Sequence, residues 1–148
     1  MLFRSIKTIR TYDKKNIILV GTPVWSQDVD VAADSPIKGY SNLMYTFHFY
    51  AATHKEMYRE KVKAAVKKGL PVFVSEFGIS ESSGNGSIDK KEANTWIQFL
   101  KKNKISYVCW SLSNKDESCS LLKSSSTRTG NFRKTDLSAA GRWYQAVK

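Results

Sequence analysis

Glu76 closes the apolar run VFVSEFG, Val72 to Gly78, so a segment built for the inside of a sheet ends in a carboxylate. Val72, Phe73 and Val74 are β-branched or aromatic, as a buried strand requires, and Gly78 frees the backbone to turn. The earlier run LMYTFHFY ends in His48 and Tyr50, alternate residues of one strand that point the same way. Trp25, Ser26, Gln27 and Asp28 follow another apolar run, and a fourth ends in Trp110 and Ser111, followed by Lys115 and Glu117. A carboxylate flanked by an imidazole, a phenol and two indoles suits a sugar. Indole faces stack on the C–H faces of pyranose rings while short polar groups sort the hydroxyls. Each of these residues also has a plainer role open to it. A strand-end Glu is commonly solvated, a lone His or Trp commonly belongs to the core, and Lys115 with Glu117 could be a surface pair worth little.

Such side chains meet only if the strand ends converge, and the patterning supplies elements that would do so. NIILVGT (Asn16 to Thr22) reads as a first strand, LMYTFHFY (Leu43 to Tyr50) as a second, VFVSEFG as a third and YVCWSLS (Tyr107 to Ser113) as a fourth. SQDVDVAADSP, after the first, is polar and irregular, with at most a short helical turn. Met57, Tyr58, Val62, Ala65 and Val66 lie at helical spacing, with Gly69 placed as a C-cap before Pro71. Asp89 and Glu92 form a capping pair for a helix with Ala93, Trp96, Ile97 and Leu100 on one face. Leu137, Ala140, Trp143, Tyr144 and Val147 share a face of a closing helix, and Leu2, Ile6 and Ile9 one of an opening helix that reads as having lost its beginning. Trp96 and Trp143 are core candidates.

Apolar strands alternating with amphipathic helices indicate a parallel sheet covered by helices. The loops after strands are long and carry polar and aromatic residues, whereas those before strands are short. A (β/α) barrel has this asymmetry and collects chemistry at the C-terminal ends of its strands. A flavodoxin-like open sheet also fits four such units, but no glycine-rich phosphate loop follows any strand.

The 148 residues suffice for one domain with a core and not for two, so residues 1–148 are read as a single domain. The net charge of +11 suggests nucleic acid, but the lysines of EKVKAAVKKG and KKNK fall on wet helix faces and C-terminal helix ends, where they suit the dipole. No nucleic-acid partner is therefore expected. No apolar run reaches the ~20 residues of a membrane span, and MLFRSIKTIR lacks the apolar stretch of a secretory signal. Cys109 and Cys119 have no metal-ligand spacing, and either a disulfide or two free thiols fits the count.

GTPVWSQDVDVAAD, MYTFHFYAATHK, VFVSEFGISESSGNG and YVCWSLSNKDESCS together resemble the second half of glycoside hydrolase family 5 endoglucanases, nearest the bacterial and invertebrate branch. The resemblance runs from about Asn16 to the C-terminus. It implies a TIM-barrel cellulase, secreted, acting on β-1,4-glucan with retention and without metal or organic cofactor. It also implies that Glu76 is the nucleophile, with His48 and Tyr50 beside it, and that Trp25, Gln27, Trp110, Lys115 and Glu117 line the glucan cleft.

A retaining glycosidase needs a second carboxyl as general acid. In the family this is the Glu of an Asn-Glu-Pro motif after strand four, and no such motif occurs here. Glu56, Glu60 and Glu92 fall on predicted helices, and Glu81 lies in a loop beyond the nucleophile. The expectation is therefore the C-terminal half-barrel, strands five to eight, since a full barrel takes about 250 residues. Its apolar edge strands would seek a partner, either a second copy or the missing N-terminal half. The rival expectation is a non-catalytic glucan-binding or structural half-barrel.

Overall fold

The computed structural model describes residues 2–147, and side chains from Arg4 to Val147. Four parallel strands stand side by side in chain order: β1 (Ile18–Val20), β2 (Leu43–Tyr50), β3 (Val72–Gly78) and β4 (Tyr107–Cys109). The helices are α1 (Leu2–Tyr12), α2 (Pro23–Ser26), α3 (Val29–Asp34), α4 (Glu56–Lys67), α5 (Lys90–Lys102) and α6 (Ala139–Val147), with a 3-10 turn at Lys134–Asp136 before the last. This succession is half of a (β/α) barrel, as the patterning predicts.

The long strands and helices follow the sequence closely. Gly69 (φ 84) ends α4 in the left-handed conformation, its N–H donating to Val66 O and the next N–H, of Leu70, to Ala65 O. This Schellman closure satisfies the carbonyls that a helix end leaves open. At α5 the Asp89 carboxylate accepts from the Glu92 N–H at 2.9 Å, the N-cap the sequence predicts.

The short elements differ. β1 begins at Ile18 because the Asp13 carboxylate accepts from the N–H groups of Lys15 and Asn16, turning the chain there. β4 stops at Cys109. The carbonyls of Ser111 and Ser113 accept from Leu121 and Leu122, so the chain leaves the sheet to pair with its own returning segment. Leu137 precedes α6 and bridges to Leu122. The polar loop after β1 folds into α2 and α3, with Val29 fully buried. Met57 is 66% exposed and does not join the core.

The core lies between the sheet and its helices. Phe49 stacks on Trp96 of α5 at 4.0 Å between ring centroids and on Phe77 of β3 at 5.2 Å. The Trp96 indole N–H donates to the His54 carbonyl at 2.7 Å, so this buried ring leaves no polar atom unpaired. Trp143 is also buried. At the sheet margins Leu19 of β1 and Val108 of β4, with Ile17 and Leu112 just outside them, are exposed hydrophobics. Among the described residues no helix is long and apolar enough to cross a membrane.

Candidate active site

The side chains of β2 alternate between two faces. Tyr45, Phe47 and Phe49 enter the core, which turns Thr46, His48 and Tyr50 to the opposite face. β3 does not alternate. Val72, Val74 and Phe77 are all buried, and the register passes from Phe47↔Val74 to His48↔Glu76, leaving Ser75 as an extra residue. The same interval is irregular against β4, where Val74 pairs Tyr107 and Phe77 pairs Cys109. One residue inserted into a strand re-aims the side chains beyond it. Here it moves Glu76 off the core face and onto that of His48 and Tyr50.

The three side chains form one cluster. The Tyr50 hydroxyl donates to Glu76 Oε1 at 2.8 Å, and His48 Nδ1 lies 3.7 Å from Glu76 Oε2. His48 Nε2 is 2.8 Å from the Ser75 hydroxyl, so the bulge residue also braces the imidazole. Burial lowers the His48 pKa, outweighing the attraction of Glu76. Burial, then the hydrogen bond to Glu76, raises the Tyr50 phenol far above its ordinary range, so it stays a donor at any physiological pH. Gly78 lies outside the left-handed region, and its role is space rather than turning. A Cβ there would sit 2.7 Å from Tyr50 ring carbons.

These groups border a cavity of about 640 Å³, lined also by Thr22, Trp25, Ser26, Gln27, His54 and Ser82. Val24, Trp25 and Ser26 have φ of 53°, 50° and 62°, a left-handed turn that a β-branched valine rarely adopts. Strain of this kind costs on the order of 1–3 kcal/mol and persists only where the surroundings impose it. The Thr22 hydroxyl donates to the Thr46 carbonyl at 3.0 Å, and the Thr46 hydroxyl donates to Ser26 Oγ at 2.7 Å. The turn leaves Trp25 84% exposed at the rim, with Gln27 in the wall.

The structure thus gathers Glu76, His48, Tyr50, Trp25 and Gln27. Trp110, Lys115 and Glu117 stand at the next strand end and do not line this cavity. The Trp110 backbone N–H donates to the Phe77 carbonyl at 2.8 Å, and the residue is 45% exposed. Lys115 and Glu117 approach to 4.0 Å as an outlying pair. Sequence reasoning missed Ser75 and His54. Ser75 precedes Glu76 and His54 follows the second strand in a turn, but a serine in a strand and a histidine in a turn carry no signal of their own.

Among the described residues Glu76 is the sole carboxylate lining the cavity. Glu81 accepts from the Ser87 N–H at 3.0 Å, Glu92 pairs with Arg59 and Glu60 with Lys63. Cys109 and Cys119 are free thiols, and burial pushes Cys109 up to about 12.

Residues 2–116 match the family model for cellulase (glycosyl hydrolase family 5). An endoglucanase of Clostridium saccharobutylicum is 47% identical over 136 residues, covering 92% of this chain and 30% of that protein. A solved structure from Cytophaga hutchinsonii superposes with a TM-score of 0.92 at 40% identity, covering 95% of this chain and 46% of that one. The catalytic domain of Thermobifida fusca endoglucanase Cel5A gives 0.88 at 32% identity, covering 95% and 48%. The chain spans under half the length of each. With its parallel half-barrel and these matches, the chain belongs to glycosyl hydrolase family 5, the cellulase family.

Proposed function

We propose that this chain is the nucleophile-bearing half, strands five to eight, of a secreted retaining endo-β-1,4-glucanase. The observation that carries the reading is the Glu76 carboxylate held at 2.8 Å by the Tyr50 hydroxyl beside His48, in a cavity large enough for sugar units. In the first step a Glu76 oxygen bonds to the anomeric carbon as the glycosidic C–O bond breaks, and a second carboxyl protonates the departing oxygen. In the second step water, deprotonated by that same group, attacks the anomeric carbon and releases Glu76. Tyr50 and His48 orient the nucleophile, Trp25 and Gln27 meet sugar beside it, and Trp110, Lys115 and Glu117 extend the cleft. The second carboxyl comes from outside this cavity lining, so this chain by itself performs little or no hydrolysis. Its exposed apolar margins suit pairing with the preceding half of a barrel or with a second copy. Size-exclusion chromatography with light scattering that gave a clean monomer at high concentration would remove the self-association.

The test needs no general acid. A 2-deoxy-2-fluoro-β-cellobioside with a dinitrophenolate leaving group departs unprotonated and leaves its sugar on the nucleophile. Mass spectrometry should find one adduct, on Glu76, absent from Glu76→Gln. Binding of cello-oligosaccharides with no adduct would support the rival reading, a glucan-binding half-barrel.

A further inference from the structure

His54 has no part in the chemistry of Glu76, yet it lines the cavity and is 4% exposed. The chain turns directly after β2, and the His54 N–H donates to the Tyr50 carbonyl at 2.7 Å. Both ring nitrogens are engaged. Nδ1 accepts from the Tyr50 N–H at 2.8 Å, and Nε2 lies 3.2 Å from Gln27 Nε2. The ring also packs on Tyr58, 4.5 Å between centroids.

These contacts determine the orientation of Gln27. A buried backbone N–H requires an acceptor, so His54 Nδ1 carries no proton and the neutral ring holds its proton on Nε2. A protonated Nε2 can only donate. The two ends of a primary amide have the same shape, and the hydrogen-bond network decides which faces a partner. Two N–H donors cannot pair, so the Gln27 amide is taken turned end for end, its Oε1 accepting from the ring and its NH₂ group directed away from it. Among the described residues the amide makes no other hydrogen bond, and Gln27 borders the cavity. Burial lowers the pKa of His54 and helps to keep the ring neutral.

We infer that His54 is a positioning residue that locks the Gln27 amide with its NH₂ edge in the cleft, as a fixed donor to a sugar oxygen. The inference rests on the reading of this cavity as a glucan cleft. An NH₂ group there meets a hydroxyl, ring or glycosidic oxygen and rejects a ligand that presents a donor at that point.

Two measurements on the 148-residue chain test it. Long-range ¹H–¹⁵N NMR near pH 7 should show His54 as the neutral Nε2–H tautomer, with the His48 signals assigned by their loss in His48→Asn. Titration with cellotetraose should show Gln27→Glu, which still accepts from His54 but has no NH₂, binding roughly three- to tenfold more weakly than the parent chain. His54→Phe should weaken binding to a similar extent, and the double variant no further. An Nδ1–H tautomer, undiminished binding by Gln27→Glu, or multiplying losses in the double variant would overturn the inference alone. Failure of the parent chain to bind cellotetraose would overturn the cleft reading and the donor role with it.

Discussion

Replacing Gly78 with alanine tests whether Tyr50 holds the nucleophile. The new Cβ would lie 2.7 Å from Cδ1 and Cε1 of the Tyr50 ring, whereas carbon atoms rest at about 3.5 Å or more. The ring must retreat by roughly 0.8 Å, and both residues sit in strands that cannot yield easily. Swinging about Cβ, the phenolic oxygen moves further than the ring edge. A 2.8 Å hydrogen bond to Glu76 then passes the ~3.5 Å beyond which it no longer counts as one. A hydrogen bond to a charged group contributes about 1.5–3 kcal/mol. If that bond orients the attacking oxygen, its loss slows glycosylation roughly ten- to hundredfold. Overpacking should separately destabilise the fold by about 1–3 kcal/mol. The assay is the rate of adduct formation with the fluoroglycoside, measured well below the variant's melting temperature. Tyr50→Phe, which removes the hydroxyl without crowding, should slow trapping equally, and the double variant no more. A Gly78→Ala chain that melts lower but traps at the parent rate would refute the positioning role of Tyr50.

Trp25→Ala should leave the urea midpoint nearly unchanged, within about 0.5 kcal/mol, because the side chain is 84% exposed. It should weaken cellotetraose binding roughly two- to tenfold through lost stacking, and unchanged affinity would remove Trp25 from the cleft. Burial lowers the pKa values of His48 and His54 from 6.5, so the folded chain binds fewer protons than the unfolded chain below that pH. Stability should be full above about pH 6.5 and fall on acidification toward the folded values. The lowered carboxyls of Asp13 and Asp89 act only below their ordinary 3.8. Urea midpoints that rose between about pH 7 and 5 would contradict the sign. Gly69→Ala meets no steric obstacle but takes a residue with a Cβ to φ +84°, costing about 1–2 kcal/mol. Gly69→Asn should cost less, and equal melting temperatures for the two would argue against a backbone origin.

Local chemistry decided much of this protein before any tertiary contact. The repeated strand and helix units, the Gly69 and Asp89 caps, the Trp96 core position and the identity of Glu76, His48 and Tyr50 are legible from residue types and spacing. These features depend on neighbours a few positions away. What period-two alternation cannot supply is the face on which Glu76 lies, since it assigns that residue to the side of Val72 and Val74. The extra residue in β3, visible only when the strand is paired with β2 and β4, turns the carboxylate toward Tyr50. The left-handed turn at Val24–Ser26, held by Thr46 of another strand, is likewise beyond local preference. So is the contact between Gln27 and His54, which are distant in sequence. Register and strain depend on which strand lies alongside, and that choice is made by the fold as a whole.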